Sequence, residues 1–416
     1  MHVIILGAGI TGVTAAYVLG SRGHTVEVIE REDAPAMQTS FANGGQLSYT
    51  HAQPWANPDA LPKVIKWMFQ EDAPLVLKFS SDPHMIRWGL RFLFNCNSKQ
   101  AEKSTRIMLR LGLYSRQKLA DIRAQTNIEY NHLSQGILHI FGSQAGLDSA
   151  LKQAKLQESL GGREELLTPE QCFAREPALK DATKKIAGGL YSDLDESGDL
   201  HVFTQKLAAY CIDQFGARFH YNTHIYGLSS DRTQLRGVET SLGMKTADAY
   251  VMALGSYSPL LLRPIGIDVP IYPMKGYSVT VPAWQGAPTV SITDDEKKIV
   301  ISRLGDKIRA AGTAEFARYN SEVREKRITP ILRCISDLFP AAQLGQVSRW
   351  ACLRPQTPDG PPIIGATSYP NLFMHTGHGT LGWTQSAGSA HLLADIMEGR
   401  PTEISLEGLE TSRYRS

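Results

Sequence analysis

The sequence predicts a two-domain protein of the α/β (α+β) class, and three observations carry the prediction. A chain of 416 residues is too long for one comfortable hydrophobic core. It opens with a short apolar run, a glycine-rich turn and a stretch of helical spacing, the start of an alternating strand and helix fold. From residue 217 onward, short apolar runs broken by turn residues follow one another, as in a mixed or antiparallel sheet.

The N-terminal element is the most specific. His2 to Leu6 is an apolar run of strand length, and Gly7-Ala8-Gly9-Ile10-Thr11-Gly12 follows at once, ahead of VTAAYVLGSRG. This is GxGxxG between a strand and a helix, the context in which the motif binds a dinucleotide. Gly7 permits the tight turn, Gly9 lets backbone N–H groups approach a pyrophosphate, and Gly12 lets the helix lie close to the strand. The helix N-terminus adds partial positive charge beside the diphosphate. Val3 in the strand and Ala8, Ile10 and Thr11 in the turn complete this part of the candidate cofactor site. A second strand, TVEVIE, ends on Glu30, a carboxylate placed to accept from ribose hydroxyls, and Arg31 follows it. The expectation is a Rossmann-like dinucleotide-binding domain.

The next stretch, REDAPAMQTSFANGGQLS, replaces the following strand and helix of a simple nicotinamide domain. A long loop inside a compact domain is usually functional. Ser40, Asn43, Gly44, Gly45 and Gln46 offer small side chains and backbone donors suited to wrapping the far half of a cofactor.

Further on, Trp67, Met68 and Phe69 precede a proline-broken segment, and Trp88, Leu90, Phe92, Leu93 and Phe94 share a short helix with Arg87 and Arg91. Such a mixture suits either two packed helices or an interfacial membrane anchor. Residues 98–126 read as one amphipathic helix and 198–216 as another, with the strand ARFHY behind it. THIYGLSS, QLRGVETSL and DAYVMALG read as a meander closing at Gly255. MKGYSVTV carries Gly276 and Tyr277, and SITDDEKKIVISRLGDKIRAAGTAEF reads as two further strands. The last helix opens on Gly379, Thr380, Leu381 and Gly382, a terminus suited to stabilise negative charge or to a plain cap by Thr380.

Composition excludes more than it assigns. With 43 Lys+Arg against 41 Asp+Glu, the net charge of +2 offers no field for nucleic acid or an acidic partner. The five cysteines are odd in number and lack CxxC or metal-ligand spacing, so a reducing compartment and no metal are expected. No long apolar segment or signal peptide is legible. A cytoplasmic protein is expected, with peripheral contact on the inner face of the cytoplasmic membrane left open.

GAGITG with Glu30, SFANGGQLSYTHAQPWANP, MKGYSVTV, RPQTPDGPPIIG and HTGHGTLGWTQSAG occur in that order. Together they resemble the bacterial FAD-dependent D-amino acid dehydrogenases of small-subunit type, within the wider group of D-amino acid, glycine and sarcosine oxidases. The resemblance implies FAD as cofactor and oxidative deamination of a D-amino acid such as D-alanine to a 2-oxo acid and ammonia. Hydride passes to flavin N5, and electrons go on to a quinone or other carrier. It also implies a discontinuous FAD domain, residues 1–50, 165–260 and 345–416, with a substrate domain of residues 51–164 and 261–344. An oxygen-using amine oxidase and a flavin-binding subunit of a heteromeric complex remain as alternatives.

Such chemistry needs the α-carboxylate held, and a guanidinium fork does this with two parallel hydrogen bonds. Arg354, in RWACLRPQTPDGPPIIG, is the leading candidate, and the resemblance assigns the arginine of Leu353-Arg354-Pro355 to the carboxylate. The plain alternative is a brace to Asp359. Tyr277 is a second candidate, closing on the carboxylate or shielding the site, and His51 a third, facing the substrate amine. Cys352 stands five residues before Thr357-Pro358-Asp359. A cysteine so placed in the sarcosine-oxidase branch bonds covalently to flavin, while free cysteine is commonly a buried small hydrophobe, and both roles stay open.

Overall fold

The computed structural model describes residues 1–60, 62, 74–76, 81–231 and 233–414. Trp67, Met68 and Phe69 lie outside the described residues.

The first strand, His2–Leu6, pairs in parallel with Thr25–Ile29 on one side and Ala249–Met252 on the other. Leu372–Thr376 and Ile363–Ala366 extend that sheet at one end and Arg218–His220 at the other. Its strands are buried on both faces, which is why they read as unbroken apolar runs. Val3 and Ile5 point into a core shared with the helices Ile10–Ser21, Leu200–Phe215 and Gly382–Met397. Ile4 and Leu6 point the other way, into a core closed by the three-stranded meander of Ile225–Ser230, Leu235–Thr240 and Gly243–Lys245. Alternation along one strand therefore supplies two cores.

The strand that ends the meander stretch returns the chain to the cofactor domain, as expected, and the meander's own third strand is Gly243–Lys245. Ala249–Met252 joins the parallel sheet and is wholly buried, while the first meander strand is half-exposed.

The second sheet runs in the order Ser348–Gln356, Tyr272–Pro282, Lys307–Phe316, Ile299–Leu304, Ser291–Asp294, Ile137–Phe141, Gly188–Ser192, Glu165–Leu167. Leu75–Val76 adds to Lys307–Phe316. The helix Glu325–Leu338 covers its outer face through Ile328, Ile331 and Ile335. Residues 291–316 make three strands, one more than expected, since Lys298 and Gly305 adopt φ +53 and +65 and turn the chain twice. Glu165–Leu167, Gly188–Ser192 and Ser348–Gln356 all belong to this second sheet, so the chain interleaves the two sheets more finely than the expected domain ranges.

The helix Ser98–Thr126 matches its expected span, begun by Asn97, which accepts from the Gln100 N–H, and ended by Asn127 in the left-handed region. The helix Pro83–Asn95 turns Trp88 inward, where its indole donates to the Gln356 carbonyl at 2.9 Å. Phe92 stacks on Trp88, while Ile86, Leu90, Leu93 and Phe94 face outward. Among the described residues no helix is long and apolar enough to cross a membrane.

Candidate active site

The two sheets face one another across a cavity of about 820 Å³. Most of the residues singled out in the sequence line it. Val3, Ala8, Gly12 and Gly45 do not. Val3 is a correction: it is packed in the middle of the first strand, its side chain committed to the helix core.

At one end the glycine turn behaves as its spacing requires. Gly7 has φ +102, and a Cβ on Gly12 would stand 1.9 Å from the Gly7 carbonyl oxygen, so helix and strand can close only on glycine. The helix Ile10–Ser21 begins at Gly9 with no side-chain cap, and Gly9, Ile10 and Thr11 line the cavity. Glu30 braces the turn, accepting from the Ala8 N–H at 2.8 Å and the Glu32 N–H at 3.0 Å. Each of its oxygens keeps a further acceptor position. The Arg31 guanidinium lies 4.2 Å from the centre of the Tyr257 ring.

The loop after Arg31 has almost no regular structure and is nevertheless pinned. Ser40 accepts from the Ile10 N–H, Asn43 accepts from the Gly45 N–H, and Ser302 donates to the Gly44 carbonyl. A Cβ on Gly44 would meet Val300 at 2.2 Å, so the loop lies directly on the second sheet. Gln46 donates to Ser291 and Thr293, both at 3.0 Å. Gly255 and the segment Gly379 to Gly382 close the wall. The helix Gly382–Met397 starts uncapped, so Thr380 is not its cap, and the helix presents a bare N-terminus to the cavity.

A long, narrow-necked nucleotide fits this wall: glycine positions that a Cβ would fill, an acid at the end of the second strand, and two helix N-termini whose own N-cap residues supply no side-chain cap.

On the opposite sheet, Arg354 and Cys352 share the cavity face of the strand Ser348–Gln356. The Arg354 guanidinium lies against Gly276 of the neighbouring strand: a Cβ there would stand 2.5 Å from Cζ. Among the described residues no hydrogen bond or ion pair holds this guanidinium, and burial lowers its pKa to about 10, leaving it charged at neutral pH. The brace to Asp359 is absent, because Asp359 is taken by Arg413 at 3.0 Å and by Tyr414.

Tyr277 is a second correction. It alternates to the other face from Gly276, is 1% exposed, and its hydroxyl donates to Glu315 at 2.6 Å, which in turn pairs with Arg324. Burial and that carboxylate push its pKa up. Its phenol serves the outer core.

His51 lines the cavity far from Arg354. Its ring stacks on His139 with centres 4.2 Å apart, and four strand spacings, ~19 Å along the sheet, separate the His139 strand from the Gly276 strand. One small amino acid cannot touch both ends. For His51, burial is outweighed by Glu164, 3.7 Å from Nδ1, and the pKa rises; burial drives His139 well below the usual range. His51, His139 and Asp295 bring ligand atoms within 4.8 Å of one another. The two rings lie only 23° from parallel, so their lone pairs run side by side rather than converging on one ion.

The Cys352 thiol lies 3.3 Å from the Thr39 hydroxyl, and burial pushes its pKa up, so it stays protonated and weakly nucleophilic. Sequence reasoning missed Thr313 on this wall, since a threonine within an apolar run gives no local signal.

A nucleotide turn facing a mixed sheet with a half-buried guanidinium, unpaired among the described residues, defines a dinucleotide-dependent enzyme of the flavoprotein kind. Residues 2–396 match the FAD dependent oxidoreductase family, and the chain belongs to it; its cofactor is FAD. It is 47% identical over 420 residues to the D-amino acid dehydrogenase of Paramagnetospirillum magneticum, covering 100% of this chain and 99% of that one. It is 47% identical over 416 residues to the D-amino acid dehydrogenase of Allorhizobium ampelinum, covering 100% and 99%. The glycine oxidase of Geobacillus kaustophilus superposes with TM-score 0.79 at 21% identity, over 99% of this chain and 98% of that one, a likeness of fold.

Proposed function

We propose that the protein oxidises D-amino acids, small ones such as D-alanine among them, to 2-oxo acids and ammonia, and passes the electrons to a quinone or other carrier. The observation that carries the reading is the Arg354 guanidinium, charged, half-buried and unpaired among the described residues on the cavity wall. A full-length relationship to proteins named D-amino acid dehydrogenase supports it.

In this reading the helix N-terminus at Gly9 would hold the diphosphate and Glu30 the ribose. The loop from Ser40 to Gln46 and the terminus at Gly379 to Gly382, which line the same cavity, would hold the ring system. FAD held here would supply the acceptor for hydride from the substrate α-carbon, and water would convert the resulting imine to the 2-oxo acid and ammonia. Arg354 grips the α-carboxylate through its fork and so fixes which hydrogen faces the flavin. The small residues Gly276, Ser278, Ala311 and Gly312 keep that wall low enough for a flat ring and a substrate together. The exposed side of the helix Pro83–Asn95 is the surface that rests on lipid, where a quinone dissolves.

The test is Arg354→Ala in the holoenzyme. It should keep its FAD and lose about 1.5–3 kcal/mol of substrate binding, a ten-fold to hundred-fold fall in kcat/KM carried by KM. An unchanged KM would overturn the reading. Acid precipitation of the same preparations should leave the flavin in the supernatant, since Cys352 is a protonated thiol; a yellow pellet would mean a covalent link. Under air, an artificial dye should be reduced without stoichiometric peroxide, and stoichiometric peroxide would make the enzyme an oxidase.

A further inference from the structure

The strand Lys307–Phe316 carries one residue too many for its partner. In its pairing with Tyr272–Pro282, Ala314 faces Gly276 and Gly312 faces Tyr277, so Thr313 falls between them without a cross-strand partner. This is a β-bulge, and bulges re-aim a side chain beside many functional sites. The extra residue has φ +49, a left-handed conformation that β-branched side chains rarely adopt. Its hydroxyl has no hydrogen-bond partner among the described residues, although Thr313 is only 4% exposed. A strained backbone and an unmade hydrogen bond both cost stability, and here both fall on one residue of the cavity wall.

The surroundings hold the bulge in place. On one side the Ala314 N–H donates to the Pro74 carbonyl at 2.6 Å. On the other, Gly312 is packed so closely that an added Cβ would stand 2.6 Å from Ile299. The neighbour across the bulge is Gly276, the residue over which the Arg354 guanidinium lies. The strands of Arg354 and Thr313 flank the Gly276 strand on its two sides, and because the guanidinium reaches across to lie over Gly276 it stands one strand spacing, about 5 Å, from the Thr313 strand, with both residues on the cavity. A carboxylate seated on the fork has lone pairs left for a donor from the side.

We propose that Thr313 is a substrate-positioning residue whose hydroxyl donates a hydrogen bond to the α-carboxylate held by Arg354; the proposal rests on the reading of Arg354 given above. The branched side chain has few χ1 rotamers, so the hydroxyl is aimed before substrate arrives. Two donors from different strands define the tilt of the carboxylate plane, and with it the direction of the α-hydrogen. No bond changes at Thr313.

The experiment uses the FAD-loaded enzyme with three variants. Thr313→Val keeps the branch and removes the hydroxyl. Thr313→Gly removes the hydroxyl and relieves the positive φ, so it folds at least as readily. Thr313→Ser retains the hydroxyl. The readouts are KM and kcat for D-alanine and the Kd of propionate, a carboxylate that cannot be oxidised as an amine, followed by the flavin absorbance. Val and Gly should each raise KM and the propionate Kd about ten-fold and lower kcat as well, because the α-hydrogen is aimed less well. Ser should restore both affinities. Unchanged KM and Kd in Thr313→Gly would reduce Thr313 to a structural bulge and overturn the proposal. Arg354→Ala, measured beside them, separates the two readings. If it loses affinity and Thr313→Gly does not, only Thr313 is wrongly assigned. If Arg354→Ala itself leaves KM and Kd unchanged, the anchor reading fails and the shared carboxylate with it.

Discussion

Gly276 positions Arg354 by what it lacks. The guanidinium occupies the space a Cβ would take, 2.5 Å from Cζ, so the glycine is required by contact. Gly276 has no positive φ, so its backbone accepts alanine without strain. Gly276→Ala should therefore leave folding and FAD content near normal while displacing the guanidinium, raising KM for D-alanine about ten-fold. Equal KM values for Gly276→Ala and the unaltered enzyme would show that Arg354 does not anchor from this position. Arg354 was legible from residue type and motif. Gly276 was visible only as a glycine in a strand, and Tyr277 was misassigned, because which face a strand residue takes depends on a pairing that local sequence does not state.

A clamp between elements holds the cofactor-side loop. Glu196, in the two-residue strand that pairs with Gln46–Leu47, receives Arg123 from the helix Ser98–Thr126 at 2.6 Å. His132 and the Tyr49 hydroxyl also reach it. Burial pushes the Glu196 pKa up, but His132 and Arg123 outweigh it and hold it at about 2, below the ordinary 4.5. A depressed carboxylate contributes stability that is present above its unfolded pKa and lost as the pH falls through the folded one. That window runs from about pH 4.5 down to about 2, and the shift corresponds to about 3 kcal/mol. Glu196→Gln should lower the unfolding free energy from urea titration at pH 7 by that order, and flatten the loss of stability in acid. An unaltered free energy would show that the clamp carries no stability. The helices around this clamp were readable from their periodicity. The count of strands from residue 291 to 316 was not, since one turn is made by a lysine in a positive-φ conformation.

At the scale of the molecule, the cavity exists because strands distant in sequence assemble into two facing sheets. The helix Pro83–Asn95 sits on the rim with Trp88 and Phe92 turned inward and Phe94 82% exposed. If that side meets lipid, Phe94→Asp should reduce co-sedimentation with anionic vesicles while D-alanine oxidation by a soluble dye is retained; equal sedimentation would exclude the helix as the contact. The sequence by itself determined the glycine turn, Glu30, the long helices and the candidacy of Arg354, because these rest on spacing, backbone freedom and residue chemistry that act within a few residues. Only the tertiary structure decided that Arg354 lies over Gly276, that Tyr277 turns to Glu315, that His51 stands at the far end, and that Thr313 is the unpaired residue of a bulge. Strand order, register and bulges are set by contacts between residues far apart along the chain, and the chemistry of a cavity wall follows from them.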